Sequence, residues 1–419
     1  MSRTARATKI PVWREPGMPA LLVLTAAGFA GYAALLPVSP LWAVHGGSNE
    51  AGAGLVNGVL LLATILTQPF VPRLLRRFGS GRVLAAGLVL MGAPSLLHLF
   101  SDQLDWILVL SVLRGLGFGV FTVTSSTAVA HLVPPSRHGA AIGAYGAAIA
   151  VPQVVLLPAG PWLVDAVGYW IVFALGAISI LGVIAAPRLA RALRAREAQQ
   201  RLLAGDSPVD GSDSADRPAA SGDRPRRRLA ARLARPTLLL IGVTLAGGGL
   251  ITFAPQMSSS PLATAGGLVL LTVTAAVSRW RIGTLADRYG SARFLWPLVL
   301  LTVLGLGLTA LAVQNHGETQ VFLFLTAMAL VGIAYGGLQN LTLLLALAVA
   351  RRHEYSAASA VWNVGFDAGM GIGSVLVGAV ATGFSFPVAL LVAAAISLAT
   401  LPLAITRSRK APSKPAVQI

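Results

Sequence analysis

Two ionisable side chains stand where ionisable side chains are seldom found. Residues 362–373 read WNVGFDAGMGIG, and Asp367 lies within a run that is almost free of charge from Ala357 to Pro402. Arg114 opens RGLGFG inside a second apolar run. A buried ion without a partner costs several kcal/mol, so each residue implies a purpose. If a helix begins near Ala357, Asp367 lies about ten residues, or about 15 Å, along it, close to the midplane of a bilayer. Three roles fit such a carboxyl. It can carry a proton between two sides, act as a fixed structural acid bonded to Asn363, a serine or a backbone amide, or touch a substrate directly. Arg114 is the matching intramembrane cation, either functional or an anchor to carbonyls of the first helix. A direct Arg114–Asp367 pair has no support in the pattern.

Other chemistries are poorly served. The chain has no cysteine, so disulfides, thiolate metal sites and cysteine nucleophiles are excluded. The six histidines fall at span ends or in loops without metal-ligand spacing, and no metal site is expected. RGLGFG and GMGIG imitate phosphate loops, but neither follows a strand, and small residues at these spacings serve close helix packing in lipid. No hydrolase nucleophile motif or nucleotide-binding loop is present. The expectation is a protein that is not an enzyme and uses no cofactor.

The elements that must position these residues are membrane helices. Of 419 residues 55% are hydrophobic and 11% charged, with a mean hydropathy of +0.74, beyond the range of a soluble globular chain. Segments long enough to span a bilayer lie at 18–42, 52–72, 83–100, 105–130, 140–163, 168–187, 237–257, 261–280, 294–313, 320–350, 357–382 and 386–405. These are twelve spans, and Pro152, Pro158, Pro161, Pro255 and Pro261 blur the fifth to eighth.

The formal charge of +17 would suit nucleic acid if it were spread over one surface, but its location says otherwise. If the first span starts in the cytoplasm, 31 of the 32 Lys and Arg fall on that side, Arg114 being the exception. The opposite loops hold Glu50, Asp102, Asp105, Asp165 and Glu318. This is the positive-inside pattern, with both termini cytoplasmic and nucleic-acid binding not expected. The basic start MSRTARATKIPVWREPGMPALL is expected to be a retained first helix, because its apolar run is too long for a signal peptide.

The expected organisation is a cytoplasmic N-tail at 1–17, a six-helix bundle at 18–187, a basic and partly disordered linker at 188–236, a second six-helix bundle at 237–405 and a C-tail at 406–419. The edges of the linker read as basic amphipathic helices on the inner leaflet. The halves repeat. LRRFGSGRVL at 75–84 aligns with ADRYGSARFL at 286–295, an offset of 211, and RGLGFG at 114–119 with VGIAYG at 331–336, an offset of 217. The fold class is thus an all-α membrane protein of two pseudo-symmetric six-helix bundles, an architecture that places a substrate near the midplane between the halves.

GTLADRYG, Gly283 to Gly290, resembles the loop signature G-x-L-a-D-R-x-G of the major facilitator superfamily, between the eighth and ninth helices. The first-half copy PRLLRRFG departs from it, with Pro72 for the glycine and Arg76 for the aspartate. YAALLPVSPLW, AGLVNGVLLLATILTQP, LVPPSRHGAAIGAYG and WNVGFDAGMGIG are also similar to that family, and to its bacterial drug and metabolite exporters in particular. The antiporter signature of the fifth helix is reduced to LPAGP at 157–161. The resemblance implies that Asp367 and Arg114 serve proton coupling. It also implies a cavity lined from the first, fourth, seventh and tenth helices, where Tyr32, Phe118, Thr122, Gln256, Tyr335, Gln339 and Asn340 are substrate-binding candidates. Tyr145 and Trp362, matched at offset 217, and Asn363 join them. Aromatics with amides suit an amphipathic ligand; each residue equally suits helix packing.

The resemblance further implies a cytoplasmic gate at the loop residues Gly283, Asp287, Arg288 and Gly290, with Arg76 and Arg77. Arg76–Glu354 and Asp287–Arg137 are the expected pseudo-symmetric latches, against the alternative of solvated surface pairs. The function implied is proton-coupled export of a small organic molecule across the plasma membrane by a monomer, its partners being substrate, protons and lipid. Proton-coupled uptake is the alternative, and a receptor or scaffold that kept the fold without transport is a third reading.

Overall fold

The computed structural model describes residues 11–133, 137–203, 223–258, 260–314, 319–351 and 354–405. Twelve helices in it are long and apolar enough to cross a membrane: α1 Met18–His45, α2 Glu50–Phe78, α3 Ser80–Phe100, α4 Leu104–Val129, α5 Ala140–Val167, α6 Tyr169–Gln199, α7 Leu229–Met257, α8 Pro261–Ala286, α9 Ala292–Ala312, α10 Val321–Val349, α11 Ala357–Gly383 and α12 Phe386–Ile405. All twelve expected spans are present, and the described residues form no strand. Several helices outrun their apolar stretch. The helix containing α8 continues to Tyr289 and the one containing α7 begins at Asp223. Hydropathy marks contact with lipid, whereas a helix ends where its hydrogen bonds end.

The flanks of the linker are helical. They extend α6 and α7, and Leu189, Leu193 and Leu233 are buried against the protein. The centre of the linker, both extreme termini and the loops around residues 135, 316 and 352 lie outside the described residues.

The two halves use the same pairings. In the first, α1 packs on α5, α2 on α4, and α3 on α4 and α6; in the second, α7 packs on α11, α8 on α10, and α9 on α10 and α12. Lipid tails are as apolar as the side chains, so close packing of small residues must hold the helices together. A Cβ on Gly115 would collide with the backbone oxygen of Leu60, and one on Gly332 with that of Leu271. These glycines are related by the offset of 217, and the two leucines by that of 211. The repeat is thus visible in the contact geometry as well as in the residues. Gly79 and Gly290 close α2 and the α8 helix at φ 79° and 85°, a left-handed conformation that other residues adopt at a cost. That conformation accounts for the last glycine of the loop signature.

Between the halves, α2 packs on α11 and α5 on α8, forming two long seams. Asp367 and its glycines sit in the first. A Cβ on Gly373 would strike the Leu245 oxygen of α7, while Gly371 faces Leu61 of α2. The alternating glycines seat α11 between a helix of its own half and one of the other.

Candidate functional site

Facing residues of both halves enclose a cavity of about 100 Å³ at mid-depth. One wall is aromatic. Tyr32 of α1 stacks on Phe118 of α4 with centroids 4.1 Å apart and planes 1° from parallel, and Phe29 meets Phe118 edge-on at 5.7 Å. Tyr335 of α10 and Phe366 of α11 form the opposite wall, 6.3 Å between centroids. Such rings offer flat apolar area at little entropic cost. Among the substrate-binding candidates, Tyr32, Phe118, Tyr335 and Gln339 line this cavity.

The others are occupied elsewhere. Thr122 bonds back to the Phe118 oxygen at 2.9 Å, and Tyr145 meets Ser125 at 3.0 Å. Trp362 donates to Thr342 at 3.1 Å, Asn363 to the Ser359 oxygen at 3.0 Å, and Asn340 to the Arg279 oxygen at 2.6 Å. Gln256 lies near the end of α7 with a buried, unpartnered Nε2.

The charge count of the spans needs one correction. Arg279 appears from hydropathy to begin the basic loop after the eighth span, but it lies within α8, lines the cavity and donates to Gln339 Oε1. Arg114 is therefore not the sole intramembrane cation. The signal was present in the spacing: Thr272, Ala275, Ala276 and Arg279 fall three and four apart, on one face, and all four line the cavity. Gln153 of α5 and Met370 of α11 were not anticipated either.

Asp367 is buried close to the cavity tyrosines but is not among the lining residues, and it meets α2 across the α2–α11 seam. Its Oδ2 accepts a hydrogen bond from Gln68 Nε2 at 2.9 Å. Its partner thus belongs to the other half of the molecule, instead of being Asn363, a serine or a backbone amide. Arg114, also buried, donates from Nη1 to Ser39 Oγ at 3.3 Å, and its Nε finds no partner. Ser39 lies in the second half of α1, so the arginine is held by a side chain and not by carbonyls. Arg114 and Asp367 do not form an ion pair.

Two clusters pin or clamp the ends. At the end opposite the basic loops, Asn57 of α2 donates to Leu36 O at 2.8 Å and to Thr252 Oγ1 of α7 at 2.9 Å, and Thr252 bonds Ser374 of α11. Ala51 N donates to Thr382 Oγ1 at 2.8 Å. The two halves are closed on each other there. At the basic end, Glu15 pairs with Arg137 and, at 3.1 Å, with Arg196. Glu354 accepts from Arg232 at 2.9 and 3.0 Å, while Arg232 Nη1 also donates to the Val349 oxygen.

Each of these pairs stays within one half. Glu15–Arg137 and Arg232–Glu354 tie the segment entering the first helix of their half to the start of its fifth, and Glu15–Arg196 ties it to the end of α6. Glu354 is thus held by Arg232 and not by Arg76, which is exposed. The Asp287 side chain lies outside the described set. Gly283 faces Asn340, and the exposed Arg77 and Arg288 each lie over the ring of the next residue, Phe78 and Tyr289, at 5.1 and 5.3 Å.

Two six-helix halves around a cavity lined from both are an architecture of membrane transporters. The family model described as Major Facilitator Superfamily matches residues 21–316 and 270–418, and the chain belongs to that superfamily. Over 139 residues it is 31% identical to an uncharacterized MFS-type transporter of Mycobacterium tuberculosis (strain ATCC 25618 / H37Rv). That match covers 33% of this chain and 24% of the relative, so the chain spans about a quarter of the length of the curated relative it matches.

Among solved structures it is similar to a bacterial homolog of the human lysosomal transporter Spinster, in an inward-facing and unoccupied conformation, with a TM-score of 0.67 and 12% identity over 93% of this chain and 95% of that one. A nucleoside transporter (0.63, 13%, 92% and 98%) and a peptide transporter (0.69, 14%, 93% and 95%) are similar as well. At these identities the likeness is one of fold.

Proposed function

We propose that the protein exports a small organic molecule in exchange for protons by alternating access, with its basic end in the cytoplasm of a bacterial cell. The sidedness rests on the distribution of Lys and Arg. The bonded cluster around Asn57, Thr252 and Ser374, at the end opposite the basic loops, supports reading the arrangement as inward-facing, the conformation of the Spinster homolog. Export over uptake rests on the similarity of the motifs to bacterial exporters.

The observation that carries proton coupling is the bond from Gln68 to Asp367. It crosses from one half to the other, and it involves a group that exists in two protonation states. An ionised carboxylate accepts from the Gln68 amide, whereas a protonated carboxyl becomes a donor itself and gives up the charge that made the bond strong. A hydrogen bond to a charged group contributes about 1.5–3 kcal/mol. Protonating Asp367 thus shifts a two-state equilibrium roughly tenfold to a hundredfold. In the cycle, Asp367 takes a proton from the outer side, carries it through the change of conformation and releases it inward, while substrate leaves in the opposite direction.

The test uses liposomes containing the purified protein, an enclosed pH-sensitive dye and a panel of organic compounds. Compound-dependent proton movement is expected in the wild type and not in Asp367→Asn, which keeps the shape of the side chain. Unchanged proton movement in Asp367→Asn would remove this residue from the mechanism. Proton and compound moving in the same direction would convert the reading to uptake.

A further inference from the structure

The two seams between the halves are related by the internal repeat, but they are not filled alike. Gln68 of α2 and Arg279 of α8 correspond at the offset of 211, the one that aligns Arg77 with Arg288. Asp367 of α11 and Ala150 of α5 correspond at the offset of 217, the one that aligns Glu354 with Arg137. In the α2–α11 seam an amide donor meets a carboxylate, Gln68 to Asp367 at 2.9 Å. In the α5–α8 seam the donor is the stronger guanidinium of Arg279, and the position of the carboxylate is taken by Ala150. Both of these residues line the cavity.

A second group there is short of an acceptor. Gln339 is 1% exposed and lines the same cavity, with Oε1 committed to Arg279. Its Nε2 makes no hydrogen bond of normal geometry, only a weak approach to the Tyr335 hydroxyl, which is itself directed to Met370 Sδ at 3.5 Å. A buried amide donor left unpaired is costly, and a guanidinium presents its donors in a planar fork that fits a carboxylate. Among the described lining residues Arg279 is the only one carrying charge.

We infer that the cavity takes an amphipathic organic acid, whose carboxylate occupies the place left by Ala150 and receives Arg279 and Gln339 Nε2. Its apolar body lies against the stacked rings of Tyr32 and Phe118. This rests on the transporter reading above and names the substrate class of that cavity. The protein itself supplies the acid in one seam, and the ligand supplies it in the other.

The test measures thermal stability of the purified full chain with a graded series of aryl alkanoates, each compared with its neutral amide and its amine. Carboxylates are expected to stabilise the wild type, with affinity about tenfold to a hundredfold above that of the amides. Arg279→Gln is expected to erase that preference, and Arg279→Lys to keep part of it. Ala150→Asp, which installs the missing acid, is expected to fold and to lose carboxylate binding. No preference for any carboxylate in the wild type overturns the inference, as does carboxylate binding that is unchanged in Ala150→Asp.

The two readings fail separately. Carboxylate-selective binding without flux in liposomes keeps the site and removes the transporter. Flux of amines or neutral compounds alone keeps the transporter and removes the acid.

Discussion

At the scale of single residues, the useful distinction is between groups that hold the fold and groups that act in it. Arg114 is buried with one side-chain partner, and its Nε is unsatisfied. A charge so poorly served contributes little to stability, and apolar replacement of buried ions is often neutral or favourable. Arg114→Met is therefore expected to melt no lower than wild type while transport falls; a loss of several degrees without effect on transport would make the arginine a structural anchor. Gly373 is the converse case, since any Cβ would collide with the Leu245 backbone. Gly373→Val is expected to cost about 1–3 kcal/mol of stability, while Gly307→Val, where a Cβ meets nothing within 4 Å, is expected to cost far less; comparable melting curves would contradict the packing account. Asp367 was conspicuous in the sequence because a lone acid in an apolar run is costly. Its partner was not, because Gln68 lies 299 positions away and no local pattern links the two.

At the scale of elements, each half ties the entry of its first helix to the start of its fifth at the basic end. The pairs Glu15–Arg137 and Arg232–Glu354 use opposite signs in the two halves. Opposite charges at residues 76 and 354 suggested a latch between halves, but sequence alone lacks the distance that places Arg232 nearer. The pairs are partly exposed, so each is worth about 1 kcal/mol. Glu354→Arg is expected to lower the melting temperature, and adding Arg232→Glu to restore most of the loss, whereas Arg76→Glu changes stability little; rescue of Glu354→Arg by Arg76→Glu instead would reinstate the latch. The helices themselves were legible almost throughout, because twenty apolar residues in a row have few alternatives. Their ends were not. Arg279 falls at the very end of the 261–280 span, where it counts equally with the basic loop, while the α8 helix continues to Tyr289 and brings that arginine to the cavity.

At the scale of the whole molecule, the two halves meet in two seams, one holding the Gln68–Asp367 bond and the other the arginine of the proposed ligand site. The repeat was legible from GSGRVL and GSARFL, and it led correctly to a twelve-helix transporter. It did not disclose how differently its two seams are filled, because that depends on which residues meet across the halves. The natural absence of cysteine makes introduced thiols specific reporters. In inside-out vesicles a membrane-impermeant thiol reagent is expected to label Arg77→Cys and not Ser48→Cys; the reverse would invert the topology. The most direct measurement of the central claim is the distance between spin labels at Ser126→Cys and Asn363→Cys, one in each half, as a function of pH. Acidification neutralises Asp367, weakens its bond to Gln68 and releases the inward-facing state. The labels are thus expected to approach one another at low pH, and Asp367→Asn is expected to hold a distance independent of pH. The same titration in Asp367→Asn as in the wild type would contradict the account.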